Sequence, residues 1–189
     1  MAKDKIYDKI ILGIDPGTTI SGYGVIGCVK KEMTLISMGI IDLRKEANHA
    51  MKLQTIFNHT DKLVQRFLPD ELAIEAPFYG KNPQSMLKLG RAQGVSMAAA
   101  LKWQIPIFEY APKRIKQAVT GNGNASKEQV AGMVKNLLKL DQLHSKFDAT
   151  DAVAIAICHH FMFNPNSGQV EDKYSGWSSF LKNNPDKLK

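Results

Sequence analysis

The stretch Lys9-Ile10-Ile11-Leu12-Gly13-Ile14-Asp15-Pro16-Gly17 decides how this chain folds. Its apolar run, closed by an acid and a Pro-Gly turn, predicts a buried strand over residues 9–15. Two more strand patterns follow at 22–29 and 33–42, with a pair of lysines between them. Because such short connections join antiparallel neighbours, we expect the first part of the chain to form a three-stranded antiparallel meander.

Helix and strand patterns alternate in the rest of the chain. In chain order they are a helix at 47–67, a strand at 72–75, a helix opened by Asn82-Pro83 and running to 103, a strand at 105–110, a helix at 112–120, a helix opened by a Ser126 capping box and running to 140, and a helix at 148–163. Strands that alternate with helices become parallel neighbours in a sheet. We therefore predict an α/β domain over residues 1–163, with a mixed five-stranded sheet flanked by helices, and a polar, poorly ordered tail over 164–189.

The composition narrows the class of protein. The chain has 189 residues, of which 44% are hydrophobic and 23% charged, as in a soluble domain with a sizeable core. No apolar stretch is long enough to cross a membrane and the polar start has no signal-peptide core, so we expect a cytoplasmic protein with no membrane partner. Cys28 and Cys158 lie in apolar runs, which favours buried thiols over a disulfide or a metal site.

Positive charge is concentrated in the middle of the chain. The formal net charge is +7, and residues 80–139 contain ten Lys and Arg but only two acids, Glu109 and Glu128. Such one-sided charge is typical of proteins that bind phosphates of nucleic acids, although basic helix faces that simply face solvent give the same count. Charge alone therefore favours nucleic-acid binding without requiring it.

Four carboxylates stand where the predicted elements begin or end. Asp15 and Glu75 close strands, and Asp148 and Asp151 open the last helix, three residues apart on one face. Acids at the ends of buried elements are costly unless a cation gathers them, and Mg²⁺ is the usual ion for oxygen ligands. Together with the basic middle, the four acids predict a site with two Mg²⁺ ions, replaceable by Mn²⁺, that hydrolyses phosphodiesters.

Each acid alone also has a purely structural explanation. Asp15 can accept hydrogen bonds from the amides of the turn that follows it, and Glu75 can face solvent at the edge of the sheet. Asp148 can cap the last helix, with Asp151 in a first turn where the helix dipole favours acids. Only the occurrence of acids in three separate segments favours the metal site over these explanations.

Seven short motifs make the chain similar to the RuvC Holliday-junction resolvases, a family of the RNase H-like nuclease superfamily. The resemblance covers residues 9–161. The motifs are Ile11-Leu12-Gly13-Ile14-Asp15-Pro16-Gly17, Gly22-Tyr23-Gly24-Val25-Ile26, Ala73-Ile74-Glu75, Lys81-Asn82, Leu87-Lys88-Leu89-Gly90, Val119-Thr120-Gly121 and Asp148-Ala149-Thr150-Asp151-Ala152. Their order and spacing agree together, which makes the resemblance specific.

The resemblance implies an RNase H-like fold and a function in DNA recombination and repair. It places the family's four catalytic, metal-binding acids on Asp15, Glu75, Asp148 and Asp151. It also implies a homodimer that binds a four-way DNA junction, nicks opposing strands with two Mg²⁺ per active site, and works alongside the RuvA–RuvB branch-migration motor. A face of the helix that begins at Asn82-Pro83 is the dimer surface that the resemblance implies.

Five residues are predicted to contact DNA. The aromatic that the family places after its glutamate matches Phe78, and an exposed ring there can stack at a distorted junction. Basic positions near the site match Lys116 and Lys127, which flank a flexible turn and can reach phosphates. Lys88 and Arg91 lie one turn apart on a predicted helix and can form part of a phosphate-tracking face. A ring folded into the core and lysines that only face solvent are the plain alternatives.

The histidines receive no functional prediction. His144 lies near Asp148 and could act as an acid or base, but a loop histidine without a role explains it as well. His159 and His160 stand at the far end of the last helix, away from the acids, so we expect no role in catalysis for them.

Three other functions stay open at this point. The actin and sugar-kinase superfamily also places Asp-x-Gly-Thr after a strand, as Asp15 to Thr18 do here, but those ATP-dependent enzymes need a second domain of the same kind. A junction-binding scaffold without catalysis is a second possibility, which the presence of all four acids disfavours. A nuclease with the same core and another nucleic-acid substrate is the third, because a fold does not determine a substrate.

Overall fold

A five-stranded mixed sheet forms the centre of the structure. The computed structural model describes residues 7–77, 82–142 and 146–163. Its strands are β1 (Lys9–Asp15), β2 (Ile20–Val29), β3 (Glu32–Asp42), β4 (Glu71–Glu75) and β5 (Ile107–Tyr110). They lie in the order β3-β2-β1-β4-β5, in which β1 pairs antiparallel with β2 and parallel with β4, and β4 pairs parallel with β5. This arrangement confirms the predicted mixed sheet.

Helices connect the later strands and cover both faces of the sheet. They are α1 (His49–Phe67), α2 (Pro83–Leu101), α3 (Pro112–Thr120), α4 (Lys127–Leu137) and α5 (Phe147–Phe163). Two predicted starts are confirmed in detail. The Asn82 side chain accepts hydrogen bonds from the amides of Gln84 and Ser85, and Ser126 forms a reciprocal capping box with Gln129.

Several predicted boundaries differ from the observed ones by one to three residues, and two of these differences have a clear local cause. The last strand begins at Ile107 rather than 105, because the amide of Ile105 bonds to the carbonyl of Ala100 in a turn and Pro106 has no N–H to give to a ladder. The fourth helix ends at Leu137 rather than 140, and Lys139 adopts a left-handed backbone with φ of 51°. Turns of this kind depend on tertiary contacts that a periodic pattern does not carry.

The two faces of the sheet pack against different helices. Residues Leu12, Ile14, Leu72 and Ile74 pack under α1 and α2, whereas Ile11, Ala73 and their neighbours pack under α3, α4 and α5. Helix α5 is apolar on all sides: every residue from 149 to 160 except Asp151 is buried. Burying each large aliphatic side chain contributes on the order of 2 kcal/mol, so α5 is held firmly against the sheet.

Cys28 and Cys158 are both buried and unoxidised, as predicted. None of the helices within the described ranges is both long enough and apolar enough to cross a membrane.

Candidate active site

Two of the predicted acids stand side by side at one edge of the sheet. Asp15 is the last residue of β1 and Glu75 the last of β4, and these strands are parallel neighbours, so both carboxylates leave the sheet at the same edge. Alternate residues of a strand share a face. Gly13 lies directly under Ala152 of α5, which places Asp15, two residues further on, on the α5 face. Ala73 packs in the α5 core, so Glu75 faces the same side.

The other two acids come from the start of α5. The helix begins at Phe147, so Asp148 lies in its first turn rather than at the cap. A Cβ atom added to Gly22 would meet the Asp148 carbonyl oxygen at 1.9 Å, so the first turn of α5 rests directly on β2. Residue 22 pairs with Asp15 in the antiparallel ladder, which places the start of α5 next to that acid.

A shared cleft brings the three acidic segments together. Asp15, Glu75 and Asp151 line a cavity of about 280 Å³ whose walls also include Lys116 and Lys127. Asp148 is near enough for its charge to raise the pKa of Asp15. Acids from three separate segments thus lie around one cleft, and two of the predicted lysines lie there with them.

Burial and mutual repulsion dominate the electrostatics of the cleft. Burial raises the pKa of the Asp15 carboxyl well above its ordinary range. The charges of Glu75 and Asp151 raise it further, and Lys127 offsets part of the effect. Burial, followed by the charge of Asp151, raises the pKa of Glu75 to about 7 against the pull of Lys127 and Lys116. Burial and the neighbouring carboxylates therefore both favour the protonated forms of Asp15 and Glu75 over the charged ones.

Lys127 reaches into the acids from the first turn of α4. Its Nζ donates a hydrogen bond of 2.8 Å to Asp151 Oδ2, and that bond raises the pKa of the lysine. The charges of Asp151, Asp15 and Asp148 raise the pKa of Lys127 further. The carboxylates thus attract the Lys127 ammonium, and a metal ion would be attracted by the same negative charge.

Two buried side chains hold the backbone carbonyls of the strand-end acids. Ser21 Oγ donates to the carbonyl of Asp15 at 2.9 Å, and Gln93 Nε2 donates to the carbonyl of Glu75 at 3.2 Å. Sequence reasoning missed both residues. The available signal was Gln93 itself, a polar residue at helical spacing from the buried Ser96 and Ala100 of α2.

The donor set fits a hard cation, but the side chains as they stand do not surround one. All four acids offer oxygen ligands, which suit Mg²⁺ or Mn²⁺. Within residues 7–77, 82–142 and 146–163, no three His, Cys, Asp or Glu side chains lie close enough together to hold a single ion. The acids share a cleft without forming a coordination shell, so their role as metal ligands stays a prediction.

The predicted DNA contacts divide between two faces of the sheet. Lys116 and Lys127 line the acidic cleft. Lys88 and Arg91 are exposed on α2, which packs on the opposite face from α5. Phe78, His144 and the tail from 164 to 189 lie outside the described residues.

His159 has a structural position that the sequence did not suggest. The ring is fully buried in α5, with Nε2 at 2.6 Å from Glu71 Oε2 and Nδ1 at 2.6 Å from the Tyr110 hydroxyl. Lys9 Nζ donates to the other Glu71 oxygen at 2.9 Å. This polar cluster joins the last turns of α5 to β1, β4 and β5 at the end of the helix remote from the acids.

Comparison with known proteins identifies the family. The family model described as "Crossover junction endodeoxyribonuclease RuvC" matches residues 11–159. Relatives of that same name from Cytophaga hutchinsonii and Christiangramia forsetii are each 54% identical to this chain; the alignments cover 98% and 96% of this chain and 90% and 94% of the relatives. The structure titled "T. thermophilus RuvC in complex with Holliday junction substrate" matches with a TM-score of 0.78 and 30% identity, over 84% of this chain and 97% of that chain. This match also confirms the RNase H-like α/β fold. The chain therefore belongs to the RuvC family of crossover junction endodeoxyribonucleases.

Proposed function

We propose that the protein resolves four-way DNA junctions by metal-dependent hydrolysis of one phosphodiester on each of two opposing strands, during recombination and repair. The observation that carries the proposal is the cleft in which Asp15, Glu75 and Asp151 meet two lysines, with Asp148 beside them. The Thermus thermophilus relative was captured with a Holliday junction, which supports the same class of substrate here.

The four acids are the proposed metal ligands and catalytic residues. Asp15, Glu75, Asp148 and Asp151 would hold two Mg²⁺ ions, or Mn²⁺ in their place, once their side chains turn toward one another and Lys127 leaves Asp151. The raised pKa of Asp15 supports this assignment, because bound cations would offset the crowded negative charge. The bound metal would lower the pKa of the attacking water and stabilise the leaving oxygen.

The lysines of the cleft have a separate role in the proposal. Lys116 and Lys127 would draw the scissile phosphate between the acids, which would otherwise repel it. Once it is bound, their ammonium groups would offset the charge that develops on the phosphate oxygens during cleavage. Because β1, β4 and α5 hold the acids in place, the chain itself orients the phosphate for attack.

The remaining partners follow from the same proposal. Exposed Lys88 and Arg91 on α2 would track phosphates of the junction arms, and Phe78 would stack on unpaired bases. The active form would be a homodimer, so that two sites face two strands, and it would work with the RuvA–RuvB motor in the cytoplasm. Residues 1–163 would form the nuclease domain, with 164–189 as a tail.

Substitution of single acids tests catalysis separately from binding. We expect Asp15→Asn and Asp148→Asn each to slow cleavage of a four-way junction in Mg²⁺ by at least roughly 10³-fold, because removal of a metal ligand costs several kcal/mol of transition-state stabilisation. Junction binding, measured at one stated salt concentration, should persist. Asp42→Asn is the matched control, since Asp42 is exposed and pairs with Arg44 at the end of β3.

Two results would contradict the proposal. Cleavage by Asp15→Asn at close to the wild-type rate would show that the cleft is not the active site. Equal cleavage of a plain duplex or an RNA–DNA hybrid by the wild-type protein would instead favour a nuclease of another specificity. A titration with ATP under the same conditions addresses the kinase-like alternative, for which we expect no binding.

A further inference from the structure

Gln93 joins helix α2 to the strand that ends in Glu75. It is 6% exposed, and its Nε2 lies 2.7 Å from Glu109 Oε2 and 3.2 Å from the Glu75 carbonyl oxygen. Both partners can only accept hydrogen bonds at these atoms, so the amide nitrogen of Gln93 must face them and donates one proton to each. A buried side chain that satisfies two acceptors in this way holds both of them in place.

The contact falls at the C-terminal end of β4. Glu75 is the last residue of β4, and beyond it the amide of Ala76 bonds to the carbonyl of Tyr110. The carbonyl of Glu75 is therefore fixed from the α2 side by Gln93, while its carboxylate enters the cleft on the α5 side. A shift of the backbone at Glu75 would move its Cα atom, and with it the carboxylate, relative to Asp15 and Asp151.

We propose that Gln93 is a positioning residue for Glu75, which it orients toward the metal through the backbone of Glu75 and not by contact with substrate. The inference rests on the proposed function, because it gives Glu75 the role of a metal ligand. It also links the helix that carries exposed Lys88 and Arg91 to the cleft on the other face of the sheet.

A purely structural role for Gln93 is the competing explanation. The bond to Glu109 ties α2 to β5 and could serve only to stabilise the fold. The double substitution Gln93→Glu with Glu109→Gln separates the two roles. In this exchanged pair the amide introduced at position 109 can donate to the carboxylate introduced at position 93 and restore the tie. A carboxylate at position 93, however, has no proton for the Glu75 carbonyl.

Four measurements on the full-length protein test the inference: Mn²⁺ affinity without DNA, the single-turnover rate on a four-way junction, junction Kd without metal, and thermal stability. For Gln93→Ala we expect Mn²⁺ affinity and the cleavage rate to fall by about 10-fold or more, as for other residues that orient metal ligands, with junction Kd unchanged. The exchanged pair should recover thermal stability but neither metal affinity nor rate. Gln65→Ala is the matched control, since Gln65 Nε2 also bonds a carboxylate, that of Asp61, on α1.

Two outcomes would overturn the inference. One is wild-type Mn²⁺ affinity and rate in Gln93→Ala, measured well below its Tm so that the protein is folded. The other is recovery of affinity and rate in the exchanged pair, which would show that the tie to Glu109 is sufficient. Failure of the wild-type protein to cleave junctions would instead contradict the proposed function, so the two failures can be told apart.

Discussion

Gly22 of β2 and Asp148 of α5 are in direct backbone contact: a Cβ atom at position 22 would meet the Asp148 carbonyl oxygen at 1.9 Å. One turn further along α5, a Cβ at Gly13 would meet the carbonyl oxygen of Ala152 at 2.1 Å. The distance between helix and sheet is therefore set by the absence of side chains at these two positions. Because Asp148 belongs to that first turn, the same contact fixes where this acid lies relative to Asp15.

Substitution of Gly22 should damage the site through this contact. Gly22→Ala must push the first turn of α5 away from β2, since a backbone oxygen cannot rotate aside. We expect a loss of about 1–3 kcal/mol in the free energy of unfolding, as for other overpacked sites, together with a large loss of metal affinity and cleavage. Urea unfolding and Mn²⁺ titration of the folded protein measure the two effects separately.

A second glycine provides the control for this prediction. Nothing lies within 4 Å of a Cβ placed on Gly132 of α4, so Gly132→Ala should leave cleavage unchanged and stabilise the protein by up to about 1 kcal/mol through helix propensity. Wild-type stability and metal affinity in Gly22→Ala would mean that α5 can shift without disturbing the acids.

The contribution of Glu75 to the stability of the metal-free protein should fall as pH rises. The pKa of Glu75 is raised from its ordinary value of 4.5 to about 7, so between these values the folded protein keeps a proton that the unfolded chain releases. Folding is therefore favoured at the acid end of this window, and the advantage is lost as pH rises through about 7. Asp15, whose pKa is also raised, acts in the same direction. The expected contribution of Glu75 is on the order of 2 kcal/mol.

The contribution of Glu75 is isolated by comparing wild type with Glu75→Gln. The free energy of unfolding is measured in the presence of a chelator at about pH 5 and about pH 7.5. We expect it to change less between these two pH values in the variant than in the wild type, because the amide of the variant does not titrate. Added Mg²⁺ should stabilise the wild type most at the higher pH, because metal binds the deprotonated carboxylate. Identical slopes for the two proteins would mean that Glu75 is not held in a crowded, buried position.

The elements of the fold could be predicted because their signals are local. Asn82-Pro83 and Ser126 start helices through bonds to amides two and three residues away, and such bonds are visible in the sequence. Asp15 and Glu75 follow uninterrupted apolar runs, so their location at strand ends could be predicted too. The fold class then followed from the order of the elements.

The long-range hydrogen bonds of Gln93 and His159 could not be predicted, because they depend on which residues the fold brings together. The partner of Gln93 is a backbone atom 18 positions away, and those of His159 are side chains 49 and 88 positions away. Neither pairing has a periodic or capping signal. The orientation of the acidic side chains could not be predicted either. The sequence places the acids at the ends of helices and strands, but their side-chain rotamers decide whether they surround an ion.

Removal of the Lys127 ammonium should shift metal binding to higher pH. The charge of Lys127 lowers the pKa of both Asp15 and Glu75, so without it these carboxyls hold their protons more strongly. For Lys127→Met we expect the midpoint of Mn²⁺ binding against pH to move upward, and cleavage to slow by roughly 10–100-fold because the phosphate loses a neutralising cation. Isothermal titration across a pH series measures the first effect, and single-turnover cleavage measures the second.

Lys135 on the same helix gives a matched control for this change. It lies outside the acidic cleft, so Lys135→Met should leave the midpoint and the rate unchanged. If Lys127→Met bound Mn²⁺ with the wild-type pH profile, the bond between Lys127 and Asp151 would have no electrostatic consequence for the site.

His159 should contribute to stability and not to catalysis. Burial lowers the pKa of its ring, which favours a neutral form that donates from Nε2 to Glu71 and accepts at Nδ1 from the Tyr110 hydroxyl. His159→Phe removes both hydrogen bonds and leaves the Glu71 carboxylate without its histidine partner. We therefore expect the free energy of unfolding to fall by about 2–4 kcal/mol. At the 1.5 Å rise of a helix the ring lies about 16 Å from Asp148, so cleavage by the folded variant should match the wild type.

The acid side of the stability profile gives an independent check on this histidine. Because the pKa of His159 in the folded protein lies below 6.5, the unfolded chain takes up a proton that the folded protein does not, and the contribution of His159 to stability should fall as pH drops below that value. His159→Gln, whose amide can donate to Glu71 and accept from Tyr110, should lose this acid sensitivity while keeping more stability than His159→Phe. The His159 ring also packs against Phe108 and Phe163, with ring centroids 4.5 and 4.8 Å apart. Equal unfolding free energies for the Gln and Phe variants would show that this packing, and not the hydrogen bonds of the ring, stabilises the fold.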